Sequence, residues 1–294
     1  ISDIEGIAKV AHVHGIPLIV DEAHGAHFGF SPEFPENATR LGADAVIMSV
    51  HKTLPAFTQT ALLHLCSDRI AEKKVAQFLG IYETSSPSYI LMAGIEKSLQ
   101  IIEKDREMLF AAYSRRLAEF RDKTKNLKTL QVLQPSDFSK QEAFSFDPGK
   151  LLILTGNSMS GQALQEILLQ EYGLQMEMAS GNYVVAMTSI MDTDEGFARL
   201  SDALECIDGT VHKKEETSEI SPREIYREQK NVMTIDQALD AEQKTVRLEE
   251  ATSEKFRWNM RICIHPEFRF LCLAKRLTCR PQKRSGIVSG WAWR

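Results

Sequence analysis

The segment IPLIVDEAH at residues 16–24 decides the fold class of this chain. Its apolar first half ends in Asp21, and a second apolar run, residues 45–50, ends at His51 and Lys52. Short apolar runs with polar residues at their C-terminal ends are typical of buried strands. We therefore predict two strands of one sheet, with Asp21 and Lys52 at their ends.

Helical patterns alternate with these two strands. Residues 4–11 carry Ile and Ala on one face, and Ser2 is predicted as the N-cap with Glu5 as its capping-box partner. Alternation of this kind predicts a parallel α/β sheet, in which ligands bind beyond the carboxyl ends of the strands. The chemistry of the chain is therefore expected around Asp21 and Lys52.

The chain changes character after a long helical pattern at residues 88–125. Residues 126–211 combine short strand patterns, one of them at residues 174–178, with two helix patterns. This mixture predicts a small α+β domain that follows a larger one at residues 1–125. Residues 212–254 are polar and charged, and we interpret them as a linker and the start of a C-terminal region.

The tail, residues 255–294, differs from the rest of the chain in composition. It contains ten basic residues against one acidic residue, together with all three tryptophans. A basic binding tail is one interpretation. We favour translation in a shifted reading frame that begins near Ser253 or Glu254.

The composition is that of an ordinary globular protein, with 294 residues, a formal charge of −5 and 43% hydrophobic residues. This balance does not indicate a nucleic-acid partner. No apolar run reaches the roughly 18 residues of a membrane span, and residues 1–6 carry no signal-peptide pattern, so a cytoplasmic protein without a membrane partner is expected. The five cysteines lack CxxC spacing, which indicates neither a disulfide framework nor a zinc site; Cys66 and Cys206 are expected to be buried.

The residues at the two strand ends suit the chemistry of pyridoxal phosphate (PLP). That cofactor needs a lysine amine to hold its aldehyde as a Schiff base, and a carboxylate to keep its pyridine nitrogen protonated. Lys52 and Asp21 fit these two requirements. Ser49 and His51 flank the lysine, where a hydroxyl and an imidazole could reach the cofactor phosphate or, alternatively, only cap a turn.

Three motifs occur in a fixed order: DEAHGAHFG at residues 21–29, SVHKTLPAF at residues 49–57 and TSSPSY at residues 84–89. Together they resemble the ornithine/lysine/arginine decarboxylase family of fold-type I PLP-dependent enzymes. The resemblance extends from residue 1 to about residue 250. It implies an α/β, aminotransferase-like large domain that is partial at its N-terminus, followed by the small α+β domain.

The resemblance also implies a role for individual residues. By it Lys52 carries the cofactor, Asp21 pairs with the pyridinium nitrogen and His24 lies beside the ring, which makes these three the catalytic residues. The same resemblance adds five further cofactor-binding residues: Ala23, Ser49, His51, Thr84 and Ser85. Ser49 and His51 are implied to bind the phosphate of the same subunit. Thr84 and Ser85 are implied to reach the phosphate site of a neighbouring subunit, so a dimer or higher oligomer is expected.

The reaction implied by the family is decarboxylation of arginine, lysine or ornithine to the amine of polyamine metabolism and carbon dioxide. Either Lys52 or a nearby histidine would return the proton. Relative to the family, this chain lacks an upstream Ser/Thr-Gly phosphate loop and a histidine that stacks on the ring. An inactive fragment that only associates with intact subunits is therefore an alternative, as is another PLP reaction such as aminotransfer or aldol cleavage.

The same residues allow other interpretations. The tetrapeptide Asp-Glu-Ala-His also occurs in a class of helicases, but the chain contains no GxxxxGK[ST] phosphate loop. His24, His27 and Asp21 are spaced as a metal site would be, although the PLP interpretation accounts for more of the residues, and no metal ligand is predicted. Glu177 faces the active site or is an exposed strand carboxylate.

Overall fold

The computed structural model describes residues 1–83, 86–138 and 144–211, together with residue 237 alone. The first three ranges belong to one compact unit, Ile1–Thr217. The predictions made for Thr84 and Ser85, for the linker at residues 212–254 and for the tail at residues 255–294 lie outside the described residues.

The N-terminal part of the chain forms a three-stranded sheet in the order β1–β2–β3. Its strands are β1 (Ile19–Asp21), β2 (Ala45–Ser49) and β3 (Ala61–Leu65). β1 and β2 run parallel, as predicted, with Asp21 opposite Ile47, whereas β2 and β3 run antiparallel. The connection from β2 to β3 is shorter than the crossover of about a dozen or more residues that a parallel pair requires, so the chain turns back.

Two helices flank the parallel strands. Helix α1 (Ile4–Val13) precedes β1, and the short helix α2 (Val50–Thr53) begins directly after β2. The N-cap of α1 is Asp3 rather than the predicted Ser2, because the Asp3 carboxylate accepts a hydrogen bond from the N–H of Gly6 at 2.8 Å. The predicted helix is therefore present with a different cap.

Burial differs sharply between the two parallel strands. Val46 of β2 is fully buried, as predicted, whereas Ile19 of β1 is 60% exposed. Among the described residues β1 pairs only with β2, which makes it an edge strand of this sheet. The prediction of a buried strand at residues 16–20 is therefore wrong in its start and in its burial, since β1 begins at Ile19.

A long helix, α4 (Tyr89–Thr124), follows the shorter α3 (Glu72–Tyr82). This confirms the helix predicted at residues 88–125. The hydroxyl of Ser88 caps α4 by accepting a hydrogen bond from the N–H of Leu91 at 3.4 Å. The helix therefore begins directly after Ser88, the first residue of the predicted pattern.

Helix α4 packs against elements from both halves of the unit. The ring of Tyr113 stacks on Phe34 with centroids 5.3 Å apart, and Phe120 meets Phe197 at 6.1 Å. Large side chains on the buried face of α4 join one continuous core; they include Ile102, Phe110, Tyr113, Leu117 and Phe120. The helix therefore joins the two sheets through apolar contacts.

The second sheet has four antiparallel strands in the order β4–β5–β7–β6. In chain order its strands and helices are β4 (Gln131–Val132), β5 (Lys150–Leu154), α5 (Gly161–Tyr172), β6 (Met178–Ser180), β7 (Tyr183–Met187) and α6 (Asp194–Thr210). The content is the mixture of helix and antiparallel strand predicted for residues 126–211. A separate domain with a boundary at residues 125 and 126 stays a prediction.

The strand predicted at residues 174–178 is displaced. Gly173 ends α5 in the left-handed conformation, with φ 63°, and the N–H of Leu174 bonds back to the carbonyl of Leu168 at 2.8 Å. These apolar residues therefore complete the end of the helix, and Met176 enters the core. The strand itself, β6, begins at Met178.

Two smaller predictions concern the cysteines and membrane-spanning helices. Cys66 and Cys206 are both exposed, so their predicted burial is wrong: Cys66 lies just beyond β3, and Cys206 lies on the face of α6 opposite Leu204 and the core. No helix in the part of the chain that the structure describes is both long and apolar enough to cross a membrane.

One carboxylate anchors α6 to the segment that enters the second sheet. The side chain of Asp208 accepts hydrogen bonds at 2.7 Å from the backbone N–H groups of Lys128, Thr129 and Leu130. Burial alone would raise the pKa of Asp208, but these three donors outweigh it and hold the pKa below its usual range. The Asp208 carboxylate thus supplies the hydrogen-bond acceptor that these three backbone N–H groups need in the turn.

We expect Asp208→Ala to destabilise the fold by at least ~1 kcal/mol, because three backbone donors lose a charged acceptor. The matched control is Asp202→Ala on the same helix, which removes only an exposed ion pair with Lys123. Denaturant unfolding of the two variants measures the difference. Equal stability losses for the two substitutions would contradict this role of Asp208.

A second carboxyl group, Glu22, is partly buried directly after β1. One oxygen of Glu22 accepts a hydrogen bond from the N–H of Ala38 at 3.1 Å, while the other is buried without a partner among the described residues. Burial raises the pKa of Glu22 to about 7, with Glu36 adding repulsion and the Ala38 N–H opposing the shift. Glu22 is therefore mostly protonated in slightly acidic solution.

This shift gives stability a definite pH dependence. Above the ordinary value of 4.5 the unfolded chain releases the Glu22 proton and the folded chain keeps it until about pH 7, so stability falls as pH rises across that interval. We expect Glu22→Gln, which cannot ionise, to raise the unfolding temperature at pH 8 by a few degrees, as ~1 kcal/mol corresponds to about 2–4 °C. Near pH 4.5 the gain should vanish.

Thermal unfolding at the two pH values measures this gain. Glu171→Gln on the exposed face of α5 is the control and should change little at either pH. A gain for Glu22→Gln that is the same at both pH values would refute the role of ionisation.

Candidate active site

The structure brings the two predicted strand ends to the same edge of the first sheet. Asp21 is the last residue of β1, and Lys52 lies in α2, which follows β2 without a break. Because the strands are parallel neighbours, both side chains stand beyond their carboxyl ends. One oxygen of Asp21 accepts a hydrogen bond from the N–H of Ala23 at 3.1 Å, and the carboxylate is otherwise exposed.

His24 stands next to the lysine. Its Nε2 lies 3.2 Å from Nζ of Lys52 and 3.7 Å from Oε1 of Glu177. Burial lowers the pKa of His24, and the positive charges of Lys150 and Lys52 lower it further against the opposing carboxylates. A neutral imidazole follows, whose Nε2 accepts a hydrogen bond from the lysine.

Ser49 and His51 flank this pair on the side of β2. Ser49 occupies the N-cap position of α2, yet its hydroxyl makes no capping hydrogen bond, so that alternative is excluded for Ser49. Nδ1 of His51 lies 2.9 Å from the carbonyl oxygen of Thr60, which means that Nδ1 carries the proton and donates it.

Glu177 comes to the site from the second sheet. Its backbone N–H bonds to the carbonyl of Val185 at 2.9 Å, just before β6, and its side chain is 26% exposed beside His24. Of the two alternatives for this residue, the structure favours the first, because its carboxylate lies beside His24.

A buried group of charges behind His24 was missed by sequence reasoning. Nε2 of His27 contacts Oδ1 of Asp147 at 3.2 Å, and the N–H of Gly149 donates to the same oxygen at 2.9 Å. Lys150 lies on the other side, with Nζ 3.6 Å from Oδ2 of Asp147. The signals were the second histidine of DEAHGAH and the Asp-Pro-Gly-Lys turn, neither of which indicates by itself what it contacts.

These contacts also bear on the metal alternative. His24 faces Lys52, whereas His27 is buried against Asp147, so the two histidines serve different partners. Within residues 1–83, 86–138 and 144–211, the structure contains no group of three or more His, Cys, Asp or Glu side chains arranged to hold a metal ion.

The donor set fits PLP. The amine of Lys52 lies 3.2 Å from His24 Nε2, the exposed carboxylate of Asp21 has an oxygen that the turn to Ala23 does not use, and the hydroxyl of Ser49 makes no capping bond. The lysine amine and the carboxylate that the cofactor chemistry requires are thus present at one sheet edge. Thr84 and Ser85 lie outside the described residues.

The sequence of this chain is similar to those of known proteins. The family model described as "Orn/Lys/Arg decarboxylase, major domain" matches residues 1–195. Uncharacterized protein YaaO of Bacillus subtilis is 36% identical over 186 residues, which cover 63% of this chain and 38% of that protein. An arginine decarboxylase of Bacillus subtilis is 26% identical over 204 residues, which cover 69% of this chain and 42% of that enzyme. The chain thus spans less than half the length of these curated relatives.

Solved structures show the same fold. The E. coli constitutive lysine decarboxylase superposes with a TM-score of 0.58 at 19% identity, over 70% of this chain and 34% of that one. Alanine–glyoxylate aminotransferase from Nostoc superposes with a TM-score of 0.52 at 16% identity, over 69% of this chain and 57% of that one. The fold is therefore that of the fold-type I PLP-dependent enzymes, and the chain belongs to the Orn/Lys/Arg decarboxylase major-domain family.

Proposed function

We propose that this chain is part of a PLP-dependent enzyme that decarboxylates a basic amino acid, arginine, lysine or ornithine, to its amine and carbon dioxide. The observation that carries the proposal is the meeting of Lys52, Asp21 and His24 at the ends of two parallel strands, with Lys52 Nζ 3.2 Å from His24 Nε2. Membership of the decarboxylase family supports the reaction type.

When bound, PLP supplies a ring that accepts the electron pair released as carbon dioxide leaves. The protein's contribution at the ring would come from Asp21, whose carboxylate would hold the proton of the pyridine nitrogen. Ser49 and His51 would hold the phosphate, together with Thr84 and Ser85 of a neighbouring subunit, and Ala23 would contact the cofactor.

Proton movement would centre on Lys52 and His24. Nε2 of His24, 3.2 Å from Nζ of Lys52, would accept a hydrogen bond from the lysine amine and orient it for attack on the aldehyde. The same pair would hold one proton near the α-carbon of the substrate, ready to be returned after carbon dioxide has left.

A basic substrate suits the charges at the site. Glu177 brings a carboxylate from the second sheet to within 3.7 Å of His24, where it could face a cationic side chain. The arginine decarboxylase among the relatives supports this class of substrate. A carboxylate attracts the side chains of arginine, lysine and ornithine alike, because all three are cations.

Self-association is part of the same proposal. Four large apolar side chains on either side of residues 84 and 85 are more than half exposed: Ile81, Tyr82, Tyr89 and Ile90. Exposed apolar patches of this kind mark contact surfaces, which supports a dimer that brings Thr84 and Ser85 to a second site.

Exposed free thiols at Cys66 and Cys206 fit the reducing cytoplasm as the proposed compartment.

The first test labels the lysine. We expect the full chain, incubated with PLP and reduced with borohydride, to carry the cofactor on the peptide that contains Lys52. Lys52→Ala should lose this label and all amine formation from the three basic amino acids. Lys74→Ala, an exposed lysine of α3, is the control and should keep both. A label that persists in Lys52→Ala would overturn the proposal.

The second test separates binding from chemistry. Asp21→Asn keeps an oxygen for the N–H of Ala23 but no longer stabilises a proton on the pyridine nitrogen. We expect borohydride labelling of Lys52 to persist while kcat falls by about 100-fold or more, equivalent to ~3 kcal/mol of lost stabilisation. Unchanged kcat in Asp21→Asn would exclude this role for Asp21.

A further inference from the structure

His27 is buried in the same segment as His24, and the proposed reaction gives it no role. Its Nε2 donates a hydrogen bond to Oδ1 of Asp147 at 3.2 Å, because an ionised carboxylate can only accept. Its Nδ1 is buried and has no hydrogen-bond partner among the described residues. The contact with Asp147 is therefore the hydrogen bond that orients this ring.

The segment that carries both histidines has little regular structure to hold it. Residues 22–37 contain no helix or strand, although the structure describes all of them. One end of the segment is fixed at β2, since the N–H of Glu22 donates to the carbonyl of Ile47 at 2.8 Å. A second fixed point is His27, whose partner Asp147 precedes β5 of the second sheet.

His24 lies between these two fixed points. The N–H of Gly25 donates to the carbonyl of Glu22 at 2.8 Å, and the N–H of Phe28 donates to the carbonyl of Gly25 at 2.9 Å, which makes two consecutive turns. A side chain on Gly25 would collide with both Glu22 and Phe28, so the two turns are closely packed. A movement of His27 would therefore be transmitted to His24 rather than absorbed between them.

We propose that His27 and Asp147 are positioning residues for the reaction, and that their hydrogen bond keeps His24 Nε2 at 3.2 Å from Lys52 Nζ. Both residues act through His24, and neither needs to touch the substrate or the cofactor. This inference rests on the proposed function for its chemical meaning.

The hydrogen bond of His27 can be separated from the packing of its ring. The ring lies against Phe28 and Phe34, with centroids 4.7 and 5.3 Å apart. His27→Phe keeps a ring for these contacts and removes the donor, whereas His27→Gln removes the ring and keeps an N–H donor. Asp147 still accepts the N–H of Gly149 at 2.9 Å in either variant, so its carboxylate keeps a partner.

A second contact between a histidine and a buried aspartate supplies a matched control. Nε2 of His12 lies 2.8 Å from Oδ2 of Asp44, and the same oxygen accepts the N–H of Leu18 at 2.7 Å. Asp44 directly precedes β2, so this contact lies at the opposite end of that strand from Lys52. We expect His12→Phe to lower stability without changing the arrangement of His24 and Lys52.

The first measurement is ring-proton NMR of the full chain without cofactor, in which the His24 signal is identified by its loss in His24→Asn. Lys52→Ala removes the partner of His24 Nε2, so it should shift this signal in the wild type, in His27→Gln and in His12→Phe. In His27→Phe the His24 signal should already differ from that of the wild type. Adding Lys52→Ala should then shift it little, because the contact between the two residues is already lost.

The second measurement is the rate at which PLP and borohydride label Lys52. We expect labelling in His27→Phe to be slower by about 10-fold or more, since a misplacement of ~1 Å can cost about 100-fold in rate. His27→Gln and His12→Phe should be labelled at a rate near that of the wild type.

A wild-type response of the His24 signal in folded His27→Phe would overturn the inference. An equal loss of that response in His12→Phe would also overturn it, because it would indicate general loosening of the fold. Should His27→Phe fail to fold, His27→Gln still decides, since it keeps a donor for Asp147 and must keep both the NMR response and the labelling rate. Wild-type chain that takes no label on Lys52 would instead refute the proposed function and leave the NMR result standing.

Discussion

The buried contact between His27 and Asp147 is the constraint on which the site depends. His27 belongs to the segment that leaves β1 after Asp21, and Asp147 belongs to the turn that enters β5, 120 residues later. An imidazole and a carboxylate that are both nearly inaccessible to solvent must satisfy each other, so the turn at residues 147–150 is held against the first sheet.

Helix α4 fixes the same turn from the other side. The hydroxyl of Tyr113 bonds to the hydroxyl of Thr188 at 2.8 Å, and Thr188 donates to the carbonyl of Gly149 at 2.8 Å. Burial raises the pKa of Tyr113 far above its usual range, so the phenol remains neutral and can take part in this chain of hydrogen bonds. A side chain on Gly149 would collide with the Tyr113 hydroxyl, which explains the glycine between Pro148 and Lys150. The long helix α4 therefore holds the turn at residues 147–150 in place through Tyr113 and Thr188.

Sequence reasoning succeeded where the position of a residue follows from a local rule. The position of a polar residue at the end of an apolar run led to Asp21 and Lys52, because parallel strands bring their carboxyl ends together whatever the rest of the chain does. It failed where a property depends on partners distant in sequence. The exposure of β1 follows from its place at the sheet edge, which depends on how strands pair. The error at residues 174–178 has a local cause, because the apolar run obscured the helix-end signal of Gly173 directly before it.

The buried charges of the second sheet illustrate the same limit. No motif marks Asp147 or Lys150, and only the folded chain brings Asp147 to 3.2 Å from His27 and Lys150 to 3.6 Å from the same carboxylate. Lys52 and His24, by contrast, are 28 residues apart and were expected together from the family resemblance. The first sheet thus carries the predicted strand-end residues at positions that the sequence indicates. The second sheet adds Glu177 and the turn at residues 147–150, whose contacts with His24 and His27 depend on packing between distant parts of the chain that no local pattern reveals.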